Sequence, residues 1–224
     1  MDWIKDFDLF LFDFDGLLVN TEHIHYQAYT NMLRDRGHNL DWSFDKYLQI
    51  AHSSSDGLKI AILSEFPDLL EQGALWTDLY NEKKKHYLKL LLSSKVELMK
   101  GVEKLLLELQ KENKKRVVVT HSPKEQVDLI KANNPILKII SYWITREDYL
   151  NPKPAPDGYL RAIELYGEKE DKIIGFEDSY RGLKSLLDTP AKAILICHAH
   201  HPQLESLVPS DVNHFESFDE INFF

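Results

Sequence analysis

Six side chains with the means to do chemistry sit at comparable places along the chain. Asp13 and Asp15, in the string Asp13-Phe14-Asp15-Gly16, follow the apolar run Leu9–Phe12. Thr120 follows Val117–Val119, with His121 and Ser122 next to it. Lys153 lies in the loop after Ile139–Ile144, and Glu177 and Asp178 follow Ile173–Phe176. Carboxylates gathered in one cleft repel unless a cation joins them. Their hard oxygens suit Mg²⁺, which binds through a few carboxylates and keeps places for water and phosphate oxygens. A lysine and two helix N-termini, one opening after Thr120–Ser122 and one at Ser179, add the positive potential that a phosphate group seeks. The implied chemistry is work on a phosphoryl group at a magnesium ion, with Gly16 supplying the tight turn behind the Asp-x-Asp pair.

The elements that must position these residues are legible as well. Leu9–Phe12, Val117–Val119, Ile139–Ile144, Ile173–Phe176 and Ala193–Cys197 are short, continuous apolar runs, which suits strands buried on both faces. Helical stretches separate them, so the alternation predicts an α/β fold: a doubly wound parallel sheet with helices on both sides. Ligands of such sheets bind beyond the carboxyl ends of the strands, where the six residues fall. Ser122-Pro123-Lys124-Glu125 reads as a capping box with proline in the first helical position, and Ser179 as the cap of a helix through Leu183 and Leu187.

Residues 20–95 break the alternation. Thr21 is placed to cap a helix whose apolar side is Ile24, Ala28 and Met32, with Tyr29 and Leu33 beside it. Tyr47–Ile50, Leu58–Leu63 and a long helix from Ala74 to about Leu92 follow, without a strand. The sequence therefore predicts an all-helical domain at 20–95 inserted into an α/β core made of 1–19 and 96–224. Linkers near Val19–Thr21 and Ser93–Lys100 would let the insert close over the core and exclude water.

Composition narrows the partners. Charged residues make up 28 % of the chain and the formal charge is −9, which disfavours nucleic acid. The basic runs Lys83–Lys85 and Lys114–Arg116 read as solvated helix faces or loops. Cys197, the single cysteine, sits in an apolar run and reads as a buried structural thiol. His198, His200 and His201 lack an evident fourth ligand and read as non-metal histidines. The N-terminus lacks the pattern of a signal peptide and no run is long enough to span a membrane. The expectation is a cytoplasmic monomer acting on a small phosphorylated metabolite, with no membrane and no nucleic-acid partner.

Asp13-Phe14-Asp15-Gly16, Thr120, Lys153 within Asn151–Pro156, and Gly175-Phe176-Glu177-Asp178-Ser179 resemble the four motifs of the haloacid dehalogenase superfamily. The strings Asp13–Glu22, Lys153–Tyr159 and Gly175–Gly182 are similar to its β-phosphoglucomutase-like branch, and the likeness runs over nearly the whole chain, helical insert included. The resemblance implies a Rossmann-like core with a cap. It implies Asp13 as nucleophile, forming an aspartyl phosphate, and Asp15 as general acid and base. It implies Thr120 and Lys153 as ligands of the phosphoryl oxygens. Magnesium would be held by Asp13, the main-chain carbonyl of Asp15, Asp178 and Glu177.

Within that family, enzymes that cleave carbon–halogen or carbon–phosphorus bonds lack the second aspartate, and Asp15 is present here. Phosphate-ester hydrolysis is the expected reaction. A sugar-phosphate mutase is the nearest alternative, but the cap stretch Ala51–Leu58 carries no arginine for a distal phosphate. Asn20 stands where the family more often has aspartate. A catalytically dead phosphate-binding protein is the alternative from another class. The predicted substrate contacts are Gly16, His25, His52, Lys83, His121 and Ser122. For His25 a core or hinge role stays open. For Lys83, among Trp76, Tyr80 and Tyr87, the competing reading is a stem on apolar surface with its head in water. For His52 and Ser53–Ser55 it is a polar capping turn.

Overall fold

A computed structural model describes residues 1–53, 56–70, 75–199, 201 and 203–223, with 205 and 206 as backbone only. The chain divides into two compact units, Met1–Asn20 with Val96–Phe224, and Thr21–Lys95.

The first unit is built on six parallel strands: β1 (Leu9–Phe12), β2 (Lys115–Val119), β3 (Tyr142–Ile144), β4 (Ile173–Glu177), β5 (Lys192–Ile196) and β6 (Asn213–Phe215). Their order is β3-β2-β1-β4-β5-β6, so the winding reverses at β1. Helices pack on both faces, as continuous apolar strands require. Leu9, Leu11, Val117, Val119 and Ile173 meet Tyr159, Ala162 and Leu186 on one face. On the other, Phe12 stacks on Phe176 at 5.3 Å, and Phe218 closes on Phe176 at 5.4 Å.

Two elements depart from expectation. Residues 139–144 do not form one strand: a 3₁₀ turn takes Pro135–Ile139 and only Tyr142–Ile144 is extended. The proline at the turn's first position presets its backbone. The sixth strand, β6, was not foreseen, because its three residues Asn-His-Phe carry no apolar run. Arg116 is also a correction to the solvated-run reading. It lies in β2, is buried, and donates to the carbonyls of Leu109 (2.9 Å) and Ile139 (3.2 Å).

The second unit is helical, with α1 (Glu22–Asp35), α2 (Phe44–Ser53), α3 (Gly57–Glu65) and α4 (Trp76–Ser93). The buried side of α1 is Ile24, Ala28, Tyr29, Met32 and Leu33, the stripe expected from its spacing. It packs with Trp42, Tyr47, Ile62 and Leu79 into a separate core. No helix among the described residues is long and apolar enough to cross a membrane.

Candidate active site

β1 ends at Phe12, and Asp13 continues its direction by donating its main-chain N–H to the Phe176 carbonyl at 3.0 Å. The chain then turns on Gly16, whose φ of 80° lies in the left-handed region that favours glycine. This turn sets Asp13 and Asp15 at the carboxyl edge of the sheet, between the ends of β2 and β4.

Lys153 reaches the same spot from its loop. It is buried, donates to Asp13 Oδ1, lies 2.8 Å from Glu177 Oε1, and donates to the Val119 carbonyl at 2.9 Å. Asp13 and Glu177 raise the lysine above its ordinary range although burial opposes them, so it stays an ammonium. Burial has the opposite consequence for Asp13. It lifts that carboxyl to about 7 against the pull of Lys153, with Glu177 and Asp15 adding to the rise. Oxygens of Asp13, Glu177 and Asp178 fall within 4.8 Å of one another, all three residues buried. One ammonium does not balance three carboxylates, and Glu177 Oε2 is buried without a hydrogen-bond partner. A hard divalent cation fits this donor set.

On the other side of Asp13, Asp15 Oδ2 accepts from Ser122 Oγ at 2.6 Å and from Thr120 Oγ1 at 3.3 Å. Here the capping-box expectation fails. The helix α5 after β2 runs Lys124–Asn133, and no side chain caps it. Ser122 spends its hydroxyl on Asp15 instead, a residue 107 positions away. Ser179 does cap the helix α6 (Tyr180–Leu187) that opens after Asp178, accepting from the Gly182 N–H at 3.2 Å.

Three supporting residues were not singled out from the sequence. Tyr159 donates to Glu177 Oε1 at 2.5 Å, and burial with the neighbouring Glu177 charge keeps its phenol protonated. Tyr149 donates to the Thr120 carbonyl at 3.0 Å. Gly182 matters for space: a Cβ there would overlap the Glu177 carboxylate, which Tyr159 and Lys153 hold in place. Gly182→Ala is therefore expected to displace that carboxylate and weaken divalent-cation binding at the cluster at least tenfold, on the order of the loss seen when a metal site's supporting shell is disturbed. Calorimetric titration of both proteins with magnesium chloride checks this, and an unchanged affinity would contradict it. Tyr159 lies inside a string already noted for its likeness to the family; nothing local announced its partner.

His121 lies exposed at the edge. Its surroundings still desolvate the ring, and with the positive charges of Arg181, Lys153 and Arg146 they push it down to about 4, so it is neutral at pH 7. The remaining predicted contacts belong to the helical unit. Lys83 is 4 % exposed, so its head is not in water. Its ammonium lies 2.7 Å from His25 Nδ1 and faces the rings of Tyr29 and Tyr87 at 4.9 and 5.0 Å, while His25 stacks on Tyr87 at 4.0 Å. His52 is buried in the last turn of α2, 3.7 Å from Glu22 Oε1. Ser53 closes that turn on the Ile50 carbonyl, and Ser54 and Ser55 lie outside the described residues. Cys197 is buried, its thiol pushed up to about 12 mainly by desolvation, which makes it inert. His201 Nδ1 accepts the Gln203 N–H, and His200 lies outside the described residues.

Residues 10–196, a span that holds Asp13, Asp15, Thr120, Lys153, Glu177 and Asp178, match the model of the haloacid dehalogenase-like hydrolases. The chain belongs to this family. The haloacid dehalogenase-like chain is similar to Protein CbbY of Rhodobacter capsulatus, 27 % identical over 83 % of each protein. It is also similar to a phosphorylated carbohydrates phosphatase of Thermotoga maritima, 25 % identical over 78 % of each. A solved haloacid dehalogenase hydrolase from Entamoeba histolytica superposes with a TM-score of 0.77 over 96 % of both chains, at 25 % identity. Membership and these relatives make this haloacid dehalogenase-like chain an enzyme, a hydrolase of the phosphatase kind.

Proposed function

We propose that the chain is a magnesium-dependent phosphatase of small phosphorylated metabolites, most directly sugar phosphates, acting as a cytoplasmic monomer through an aspartyl phosphate on Asp13. The buried Asp13–Glu177–Asp178 cluster, with Lys153 as its one ammonium, carries this reading. The Thermotoga maritima relative, named for phosphorylated carbohydrates, supports the substrate class.

In this reading Asp13, Glu177, Asp178 and the Asp15 carbonyl hold the magnesium, which neutralises the carboxylates and draws electron density from a phosphoryl oxygen when bound. Asp13 attacks phosphorus. Asp15, oriented by the Ser122 and Thr120 hydroxyls, gives its proton to the leaving oxygen and then takes one from the water that releases phosphate. Thr120 and Lys153 offset the charge that spreads over the phosphoryl oxygens. The turn at Gly16 leaves room for the phosphoryl group, and His25, His52, Lys83 and His121 are the candidates for recognising the rest of the substrate.

Phosphate release from a panel of phosphorylated metabolites, sugar phosphates included, tests the proposal. Release is expected with magnesium, lost on chelation and restored by the metal. An isomer formed without net phosphate would identify a mutase, and silence across the panel would sink the enzymatic reading. Metal binding also competes with the proton that Asp13 carries up to about 7. The magnesium-induced rise in Tm is therefore expected to be larger at pH 8 than at pH 5.5, and a rise independent of pH would remove Asp13 from the metal site.

A further inference from the structure

Arg181 is a guanidinium without an acceptor. Its Nε is buried and unpartnered, and among the described residues it makes no ion pair. The other partly buried arginines are all engaged: Arg36 on Glu82, Arg116 on main-chain carbonyls, and Arg146 on the carbonyls of Tyr149 and Leu150. A buried guanidinium donor left without a partner carries a desolvation cost, and in a chain of net charge −9 acceptors are plentiful. Its position gives the cost a meaning. Arg181 rises from the first turn of α6, which opens after Asp178, at the end of β4. His121 stands at the end of β2. β1, with Asp13 and Asp15 at its tip, runs between these two strands. Neighbouring strands lie about 4.8 Å apart, so β2 and β4 are separated by roughly 10 Å, which an arginine and a histidine together bridge. The positive charge of Arg181 acts on His121 ahead of those of Lys153 and Arg146, so the two side chains lie within electrostatic reach of each other.

The transferred phosphoryl group already has its cation in Lys153, which is held between Asp13 and Glu177. A further anionic group on the substrate needs another cation, and among the described residues of the α/β unit Arg181 is a partly buried arginine left without an acceptor. Bringing such a group to a site lined with four carboxylates needs a dedicated counter-charge, and the planar fork of an arginine matches carboxylate and phosphate oxygens two at a time.

We propose that Arg181 is a specificity-determining residue that binds a second acidic group of the substrate, a carboxylate or a second phosphate on the leaving group, with His121 beside it. This rests on the phosphatase reading above and narrows it to esters that carry two acidic groups.

The test compares esters matched in size. Glycerol 3-phosphate is set against 3-phosphoglycerate for the carboxylate, and fructose 6-phosphate against fructose 1,6-bisphosphate for the second phosphate. Wild-type kcat/KM is expected to favour the acidic member of at least one pair, and which pair identifies the group. In Arg181→Met, which keeps the stem and removes the charge, that ratio is expected to fall about 10- to 100-fold, as for loss of a charge-assisted hydrogen bond. Arg181→Lys should restore part of it, and serves as the folded comparison if the methionine variant lowers Tm. A wild-type enzyme indifferent to the second acid, or a ratio that Arg181→Met leaves unmoved, overturns the proposal. If the wild type hydrolyses none of the esters, the phosphatase reading fails separately. Calorimetric binding of 3-phosphoglycerate and glycerol 3-phosphate, with magnesium, then decides the role of Arg181: a preference for the acid that Arg181→Met abolishes supports it, and equal affinities refute it.

Discussion

Asp13→Asn is expected to abolish phosphate release, with kcat/KM falling on the order of 10³-fold or more, while the fold stays intact or gains stability. The loss in rate follows from removing the atom proposed to attack phosphorus, a step no neighbour replaces. The stability follows from the field around that atom. Burial, Glu177 and Asp15 raise the Asp13 carboxyl to about 7, above its ordinary value near 4. A group raised in the folded state favours folding when protonated, and that contribution is lost as pH rises through the folded value. At pH 8, without metal, the ionised Asp13 therefore destabilises the wild type. Asparagine is neutral and still offers Oδ1 to Lys153. The Tm of Asp13→Asn at pH 8 without magnesium should match or exceed that of the wild type, and the magnesium-induced rise should shrink. Turnover within tenfold of wild type would eliminate Asp13 as nucleophile. A strongly lowered Tm would mean that its charge stabilises the site.

Lys153→Met should act in the opposite sense on stability. Lys153 is the ammonium between Asp13 and Glu177, and it is buried with them. Removing one partner of a buried ion pair leaves uncompensated charge and costs about 3–5 kcal/mol. At about 2–4 °C per kcal/mol for a chain of this size, Tm should fall by roughly 10 °C. The pH dependence separates this cause from lost packing. Lys153 is raised above its ordinary range in the fold, so the ammonium persists between pH 5 and 9 and its contribution is lost only at strongly alkaline pH, while Asp13 faces it as a carboxylate only above about pH 7. In the variant the two carboxylates can relieve their repulsion only by binding a proton. The deficit should be largest at pH 8 and narrow towards pH 5. Thermal unfolding of both proteins across that range, without metal, measures it. A deficit of constant size would assign the loss to packing, and a Tm within 2 °C of wild type at pH 8 would remove the ion pair from the stability of the core. Activity should fall as well, since Lys153 is the proposed ligand of the phosphoryl oxygens.

The residues that gather at the sheet edge were legible because their placement is local. Apolar runs of four or five residues end, and Asp13, Thr120 and Glu177 come next; a parallel sheet then carries all three ends to one side. The buried stripe of α1 was legible for the same reason, since one helical period decides it. For Lys83 the solvated reading fails, because a run of lysines does not say which of them faces inward. Its position in the stripe Leu79, Lys83, Tyr87 and Leu91 of α4 buries it, and an aromatic cage with His25 surrounds its ammonium.

By itself, then, the sequence determined the layered α/β fold, the helical insertion and which side chains arrive at the strand ends, because strand and helix periods and turn residues act over a few positions. Only the tertiary structure decided what those side chains do to one another. That Ser122 serves Asp15 rather than its own helix, that Tyr159 and Lys153 hold Glu177 in place, and that Arg181 lacks an acceptor are outcomes of strand order and packing between separate segments. Hydrogen bonds and charge fields depend on distances of a few ångströms, and no local pattern encodes distances across a hundred residues.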